Sequence, residues 1–201
     1  MTRCAWAEGS EEMGTYHDTE WGFPVVDDRR LFEKVSLEGF QSGLSWRTIL
    51  AKRPAFRKAF DDFDIHAIAR YTEADVARLL GDAGIVRHRG KIEAVVNNAA
   101  RAIELVEEAG SIAGFVWGYE PHPDTGSRPP FDRITNDWLL QATTSPESVA
   151  LSKDLRRRGW RFVGPTTAYA FMQAMGLVND HSPGCPQREE VEAARRALTR
   201  P

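Results

Sequence analysis

Cysteine and histidine fall in two pairs near opposite ends of the chain, Cys4 with His17 and His181 with Cys185, and these use both cysteines of the 201 residues. Two thiolates and two imidazoles satisfy a tetrahedral Zn²⁺ with no open position, which is the pattern of a structural rather than a catalytic ion. Twelve residues intervene in the first pair and three in the second, so only the second has the spacing of a short zinc knuckle. Spacing alone leaves two readings: a zinc ion stapling the two end regions, or reduced, buried thiols. On either reading the chemistry must lie elsewhere.

The N-terminal quarter offers that chemistry. Trp6, Tyr16, Trp21, Phe40 and Trp46 surround Glu38 and Gln41 in sequence, and they include three of the six tryptophans. One reading is a hydrophobic core with Glu38 on its surface, because aromatic rings carry much of any core's burial. The other is a pocket, since the residues from Glu38 to Trp46 contain two glycines and two serines and are poor helix material. A bend lining a cavity fits that composition, and rings beside a carboxylate attract a cation. Further along, residues 159–170 read Gly-Trp-Arg-Phe-Val-Gly-Pro-Thr-Thr-Ala-Tyr-Ala. One helix ends at Gly159, a short apolar turn passes Gly164, and a new helix begins with Thr166 and Thr167. The backbone N–H groups at such a start suit an anion, a DNA phosphate among others, although the same pattern also occurs in ordinary αα-hairpins.

Helices must position these groups, because apolar residues recur almost everywhere at steps of three and four. Ile92, Val95, Val96, Ala99, Ile103 and Val106 mark a helix from about Lys91 to Glu108 that ends near Gly110. Leu31, Phe32, Val35 and Gly39 mark another, opened by Asp27 or Asp28. Thr72 with Asp75 forms a capping box ahead of Val76, Leu79 and Leu80, with Gly81 as the stop. Ser145 followed by Pro146 starts a helix toward Gly159, and Phe171, Met172 and Met175 continue a later one that stops at Gly176. No stretch shows sustained period-two alternation, so the expected fold class is all-α. Residues 119–133, rich in proline, read as a loop, and no solenoid repeat is present. The expected organisation is one all-α domain over residues 1–186, with 187–201 a charged C-terminal tail or short helix.

Composition bounds the rest. A 42% hydrophobic chain of this length buries a core without disulfides, and no apolar run reaches membrane-spanning length. The start Met1-Thr2-Arg3-Cys4 lacks an apolar leader. These point to a cytoplasmic protein without membrane contact. A net charge of −3 does not mark a nucleic-acid binder, but two basic clusters stand out: Lys153, Arg156, Arg157, Arg158 and Arg161, and Arg87, His88, Arg89 and Lys91. Each also reads as a solvated helix end, because cations are favourable near helix C-termini.

Several separated strings, taken together, resemble the 3-methyladenine DNA glycosylase I family, the Tag type, over about residues 3–185. They are Arg3-Cys4-Ala5-Trp6, Tyr16-His17-Asp18-Thr19-Glu20-Trp21-Gly22, Leu37-Glu38-Gly39-Phe40-Gln41-Ser42-Gly43-Leu44-Ser45-Trp46, Ala83-Gly84-Ile85-Val86-Arg87-His88-Arg89-Gly90-Lys91-Ile92, Phe162-Val163-Gly164 and Gly176-Leu177-Val178-Asn179-Asp180-His181. The resemblance implies a helix-hairpin-helix fold of two helical lobes with the lesion pocket between them, and a zinc ion on Cys4, His17, His181 and Cys185. It implies a monofunctional enzyme that flips and excises 3-methyladenine from alkylated double-stranded DNA in base excision repair. Glu38 and Tyr16 would contact the base. Stacking is expected from Trp46, with Trp6, Trp21 and Gln41 completing the pocket, and Glu38 is the expected catalytic group. DNA contacts are expected from Gly43, Leu44, Gly164, Thr166 and Thr167. Leu44 reads either as a wedge filling the gap in the duplex or as a core leucine. Asp180 adjoins His181 and reads first as a capping or supporting group. Nothing in the loop at 119–133 or in the tail is expected to touch the pocket strings, and the protein is expected to act as a monomer.

The same residues allow two other functions: a glycosylase of this fold for another alkylated base, and a zinc-stapled helical DNA-binding module without catalysis. Only a catalytic protein has a use for Glu38 inside an aromatic cage.

Overall fold

In the computed structural model, which describes residues 3–201, helices follow one another throughout and no strand occurs among the described residues. Near the N-terminus a 3₁₀ turn, Ala5–Gly9, precedes α1 (Glu11–Thr19), which starts where the Ser10 hydroxyl accepts from the Met13 amide. Helix α2 (Asp28–Gln41) is capped by Asp27, α3 spans Trp46–Ala59, and a short α4 (Ile65–Ile68) leads to α5 (Glu73–Gly81), which opens with the Thr72–Asp75 capping box. These side chains satisfy backbone donors that would otherwise be orphaned at each helix start.

Helix α6 (Arg89–Ala109), about 30 Å long at 1.5 Å per residue, is the spine. Its stripe of Ile92, Val95, Ala99, Ala102 and Leu105 is buried, and Gly110, at φ +84°, ends it. The basic cluster at 87–91 lies at the N-terminus of this helix, not at a C-terminus. His88 is the cap, Arg89 pairs outward with Glu73 and Glu93, and Lys91 turns inward. Helices α7 (Ile112–Trp117) and α8 (Asn136–Gln141) flank the proline-rich loop, which contains two 3₁₀ turns, Pro123–Thr125 and Phe131–Arg133.

Ser145 and Ser148 cap α9 (Pro146–Arg157) reciprocally, with Pro146 at the first helical position. Helix α10 (Pro165–Ala174), with Gly164 as its N-cap, starts one residue before the first of its threonines, because Pro165 supplies the fixed φ of a first helical residue. The turn between α9 and α10 has a defined shape. Asn98 on α6 both accepts from the Arg161 amide and donates to its carbonyl, Asn97 donates to Gly159 O, and Ser152 donates to Val163 O. At Gly176 a left-handed conformation is required, and a Cβ there would meet Pro24 at 2.6 Å. That close approach lets residues 22–25 run along the end of α10, with the Gly22 amide bonded to Ala174 O and the Val25 amide to Met175 O.

The C-terminal residues 187–197 form a docked helix, α11 (Gln187–Ala197). Val191 is fully buried, Arg188 donates to the carbonyls of His181 and Phe131, and Arg195 donates to those of Gly176 and Leu177. The core itself centres on Phe32, Phe40, Phe56, Phe60 and Phe63, all fully buried and in mutual ring contact. Each such burial stabilises the fold by about 2–3 kcal/mol.

Candidate functional site

The two Cys/His pairs meet. Cys4, His17, His181 and Cys185 are all buried, and their four ligand atoms lie within 4.8 Å of one another. His17 Nε2 is 3.1 Å from His181 Nδ1, Cys185 Sγ is 3.5 Å from each of those nitrogens, and Cys4 Sγ is 3.7 Å from His181 Nδ1. A tetrahedral ion with bonds of about 2.0 Å to nitrogen and 2.3 Å to sulfur separates its ligands by roughly 3.3–3.8 Å, so the spacing fits a metal ion. The far side of each ring agrees. His17 donates through Nδ1 to Asp18 at 2.8 Å and His181 through Nε2 to Trp21 O at 3.0 Å, which leaves the opposite nitrogens with lone pairs facing the cluster. Arg3 in turn grips Asp18. Burial pulls the His181 pKa down to about 4, so the ring is neutral and ready to ligate, and burial pushes the Cys4 thiol up, which favours a thiolate only beside a cation. The donor set can therefore hold a metal ion.

Beside this cluster lies a cavity of about 800 Å³, bounded by α1, α2, α3, α8, α10 and the segment around 180–183. Glu38, Tyr16, Trp46, Trp6, Trp21 and Gln41 all line it. Glu38 is 6% exposed. Trp6 stands edge-on to Trp21 with centroids 5.0 Å apart, and Tyr16 lies 5.3 Å from Trp46. Trp21 belongs to both features: its ring packs on His181 at 4.7 Å while its carbonyl orients that histidine.

Composition misleads about how Glu38 is held. Helix α2 continues through Gly39 to Gln41, and the bend is confined to residues 42–45. Gly39 is helical because it packs on Phe162, whose Cβ would lie 3.3 Å from a Cβ at position 39, so tertiary packing overrides propensity. Lys91 Nζ then donates to the carbonyls of Phe40 at 2.8 Å and Ser42 at 2.5 Å, fixing the exit of the helix. Leu44 follows Gly43, which has φ +82°, and is 41% exposed at the tip of this turn, so it is not a core leucine.

Lys34, unremarked in sequence, sits in the centre of the cage. Its ammonium is 2.7 Å from Glu38 Oε1, 2.9 Å from the Tyr16 hydroxyl and 3.3 Å from the centre of the Trp46 ring. Burial disfavours this charge, but the Glu38 carboxylate and the Tyr16 oxygen outweigh burial and raise the pKa. Burial also raises the Tyr16 pKa, against the pull of Lys34, so the phenol is neutral. An ammonium only donates, so the Tyr16 oxygen accepts from it and the phenolic hydrogen remains for a ligand. A Lys at i and a Glu at i+4 were the available signal, but that spacing is ordinarily a solvent-facing pair.

Other walls were also missed. Asn136, Leu139 and Leu140 of α8 close one side of the cavity, and Leu140 is 82% exposed. Asp180 lines it too, but its carboxylate is occupied by Arg128 at 2.6 Å, Tyr169 at 2.8 Å and Gln173 at 2.9 Å rather than serving as a cap. Arg128 comes from the proline-rich loop and Arg188 from α11. Both segments therefore touch the pocket-forming string at 176–181, contrary to expectation.

Gly164, Thr166 and Thr167 lie outside the cavity lining, at the start of α10, while Ala170 and Gln173 of the same helix face the cavity. Gly164 has no side-chain cap, and the Arg156 guanidinium lies 3.5 Å from where a Cβ would stand on it. Phe162, with φ +56°, projects from this turn 40% exposed. No helix among the described residues is long and apolar enough to cross a membrane.

Residues 6–189 match the methyladenine glycosylase family model. The chain is 45% identical to DNA-3-methyladenine glycosylase 1 of Escherichia coli (strain K12), over 92% of this chain and 96% of that protein. A crystal structure of 3-methyladenine DNA glycosylase I superposes with a TM-score of 0.83 at 45% identity, covering 92% of this chain and 98% of the other. A variant of 3-methyladenine DNA glycosylase I in complex with 3-methyladenine superposes with a TM-score of 0.80 at 35% identity, over 94% and 98% of the two chains. With a family match running from the first cage tryptophan past the last Cys of the cluster, and relatives matched along nearly their whole length, this chain belongs to the methyladenine glycosylase family.

Proposed function

We propose that this protein is a monofunctional DNA glycosylase that everts 3-methyladenine from alkylated double-stranded DNA and hydrolyses its N-glycosidic bond, the opening step of base excision repair. The observation that carries the reading is the buried Glu38 carboxylate inside a ring of Tyr16, Trp46, Trp6 and Trp21 around one cavity. Alkylation at N3 puts a positive charge on adenine, weakens the glycosidic bond and makes the departing base neutral. Such a leaving group needs little protonation, so selection is the main task. A flipped base stacks on Trp46, and Glu38 and Tyr16 meet its polar edge, with Gln41 beside them. Glu38 also offers a fixed negative charge to the oxocarbenium-like sugar as the bond breaks.

The α9–α10 pair is read as a helix-hairpin-helix between two lobes. There Gly164, Thr166 and Thr167 take a DNA phosphate on free amides with Arg156 alongside, while Gly43 and Leu44 enter the duplex where the nucleotide has left. The hairpin holds no lysine, and Lys34 in the cage keeps its proton, which leaves no amine nucleophile and favours hydrolysis without strand cleavage. Cys4, His17, His181 and Cys185 are read as ligands of a structural Zn²⁺, which would bind the N-terminal segment to the 181–185 loop and take no part in the chemistry. The protein is read as a cytoplasmic monomer.

Incubation with methylated duplex DNA and chromatography of the released bases tests the reading. Free 3-methyladenine is expected, with the strands intact and 7-methylguanine retained. Binding of the DNA without release of any base would instead make this a binding module.

A further inference from the structure

All three groups expected to read the base are already engaged, and by one side chain. The Lys34 ammonium contacts Glu38 at 2.7 Å, Tyr16 at 2.9 Å and the face of Trp46 at 3.3 Å from the ring centre, on a side chain only 7% exposed. We propose that Lys34 is a resident cation that occupies the base seat of the free protein, and that a ligand enters the cage by displacing it. The proposal rests on the glycosylase reading only for the identity of that ligand.

Charge balance decides which ligands can enter. With Lys34 in place, the buried carboxylate is neutralised and the electron-rich indole face is filled. A neutral base that displaced the ammonium would leave Glu38 buried and uncompensated, which is strongly unfavourable. A base carrying a positive charge restores both contacts, so the exchange is close to neutral for it alone. Lys34 has four rotatable bonds and the cavity extends to the mouth lined by Leu140 and Arg47, so the chain has space to withdraw. Selectivity then comes partly from competition: the apparent affinity of any ligand is lowered by the fraction of molecules whose seat is filled. A lysine here lowers affinity for the lesion but rejects ordinary adenine more strongly.

Lys34→Met tests this, since methionine keeps the straight-chain volume and removes the charge. Both proteins are titrated with 3,9-dimethyladeninium, an N3-methylated base that keeps the positive charge the lesion carries in DNA, and, independently of any DNA function, with trimethylphenylammonium, followed by tryptophan emission. The variant is expected to bind each probe at least tenfold more tightly while melting at a lower temperature, a combination that a purely structural lysine would not give. Unchanged or weaker binding of both probes by the variant would overturn the proposal, whatever its stability. A gain for the ammonium with no binding of the methylated adeninium by either protein would leave the resident cation standing and remove the glycosylase reading. Equal binding of the methylated adeninium by the two proteins, with no gain for the ammonium, would do the reverse.

Discussion

Replacing Glu38 with Gln is expected to lower the rate of 3-methyladenine release from methylated duplex DNA by about a hundredfold to a thousandfold, the usual cost of removing one fixed electrostatic group from an active site. The amide keeps the shape of the carboxylate and can still accept from Lys34, so the fold should persist. The substitution removes only the charge, which is the part that responds to a cationic base and to a sugar becoming positive. Single-turnover release with saturating protein isolates that step from binding, and circular dichroism checks the fold. Near-normal release by a folded Glu38→Gln protein would take Glu38 out of the mechanism and leave the cage as a binding device alone.

Cys185→Ser is expected to destabilise the protein by about 4 kcal/mol, because a buried metal site that loses a thiolate is among the few single changes with so large an effect. At roughly 2–4 °C per kcal/mol for a chain of this size, Tm falls by about 10 °C. A strong chelator should do the same to the unaltered protein, and metal analysis should give close to one zinc per chain beforehand. The consequence should also reach the cage. Trp6 packs on the His17 ring at 5.3 Å, and Trp21 both packs on His181 and holds it through its carbonyl. Loss of the ion therefore loosens two walls of the cavity and weakens 3-methyladenine binding. Protein of unchanged Tm that contains far less than one metal ion per chain would contradict the zinc assignment and restore the reading of reduced thiols.

The helix starts were legible in the sequence because each is a local event: Asp27, Thr72 and Ser145 cap the helices that follow them as their side chains dictate. The Cys/His set was legible for a similar reason, since Cys and His are the usual ligands of a closed structural site and no further cysteine competes. What escaped was decided by distant parts of the chain. Residues 38–46 read as poor helix material, yet the helix runs on through Gly39 to Gln41 because Phe162, far along the chain, needs the space. Lys34 reads as one more solvent-facing cation until α1 and α3 bring Tyr16 and Trp46 over it. Arg128 and Arg188 read as loop and tail charges, yet they reach the segment that carries Asp180 and His181. In each case the residue has an ordinary local reading, and a contact with another part of the chain replaces it.

The placement of the base tests most directly whether this cavity is the seat of the lesion. A crystal structure of the protein with the cationic base 3,9-dimethyladeninium is expected to show the purine lying flat on the Trp46 indole, with its amino edge in hydrogen-bond range of Glu38 and Tyr16, and the Lys34 ammonium withdrawn from that face. A purine bound elsewhere, with Glu38, Tyr16 and Trp46 still closed around Lys34, would contradict the assignment of this cavity as the seat of the excised base.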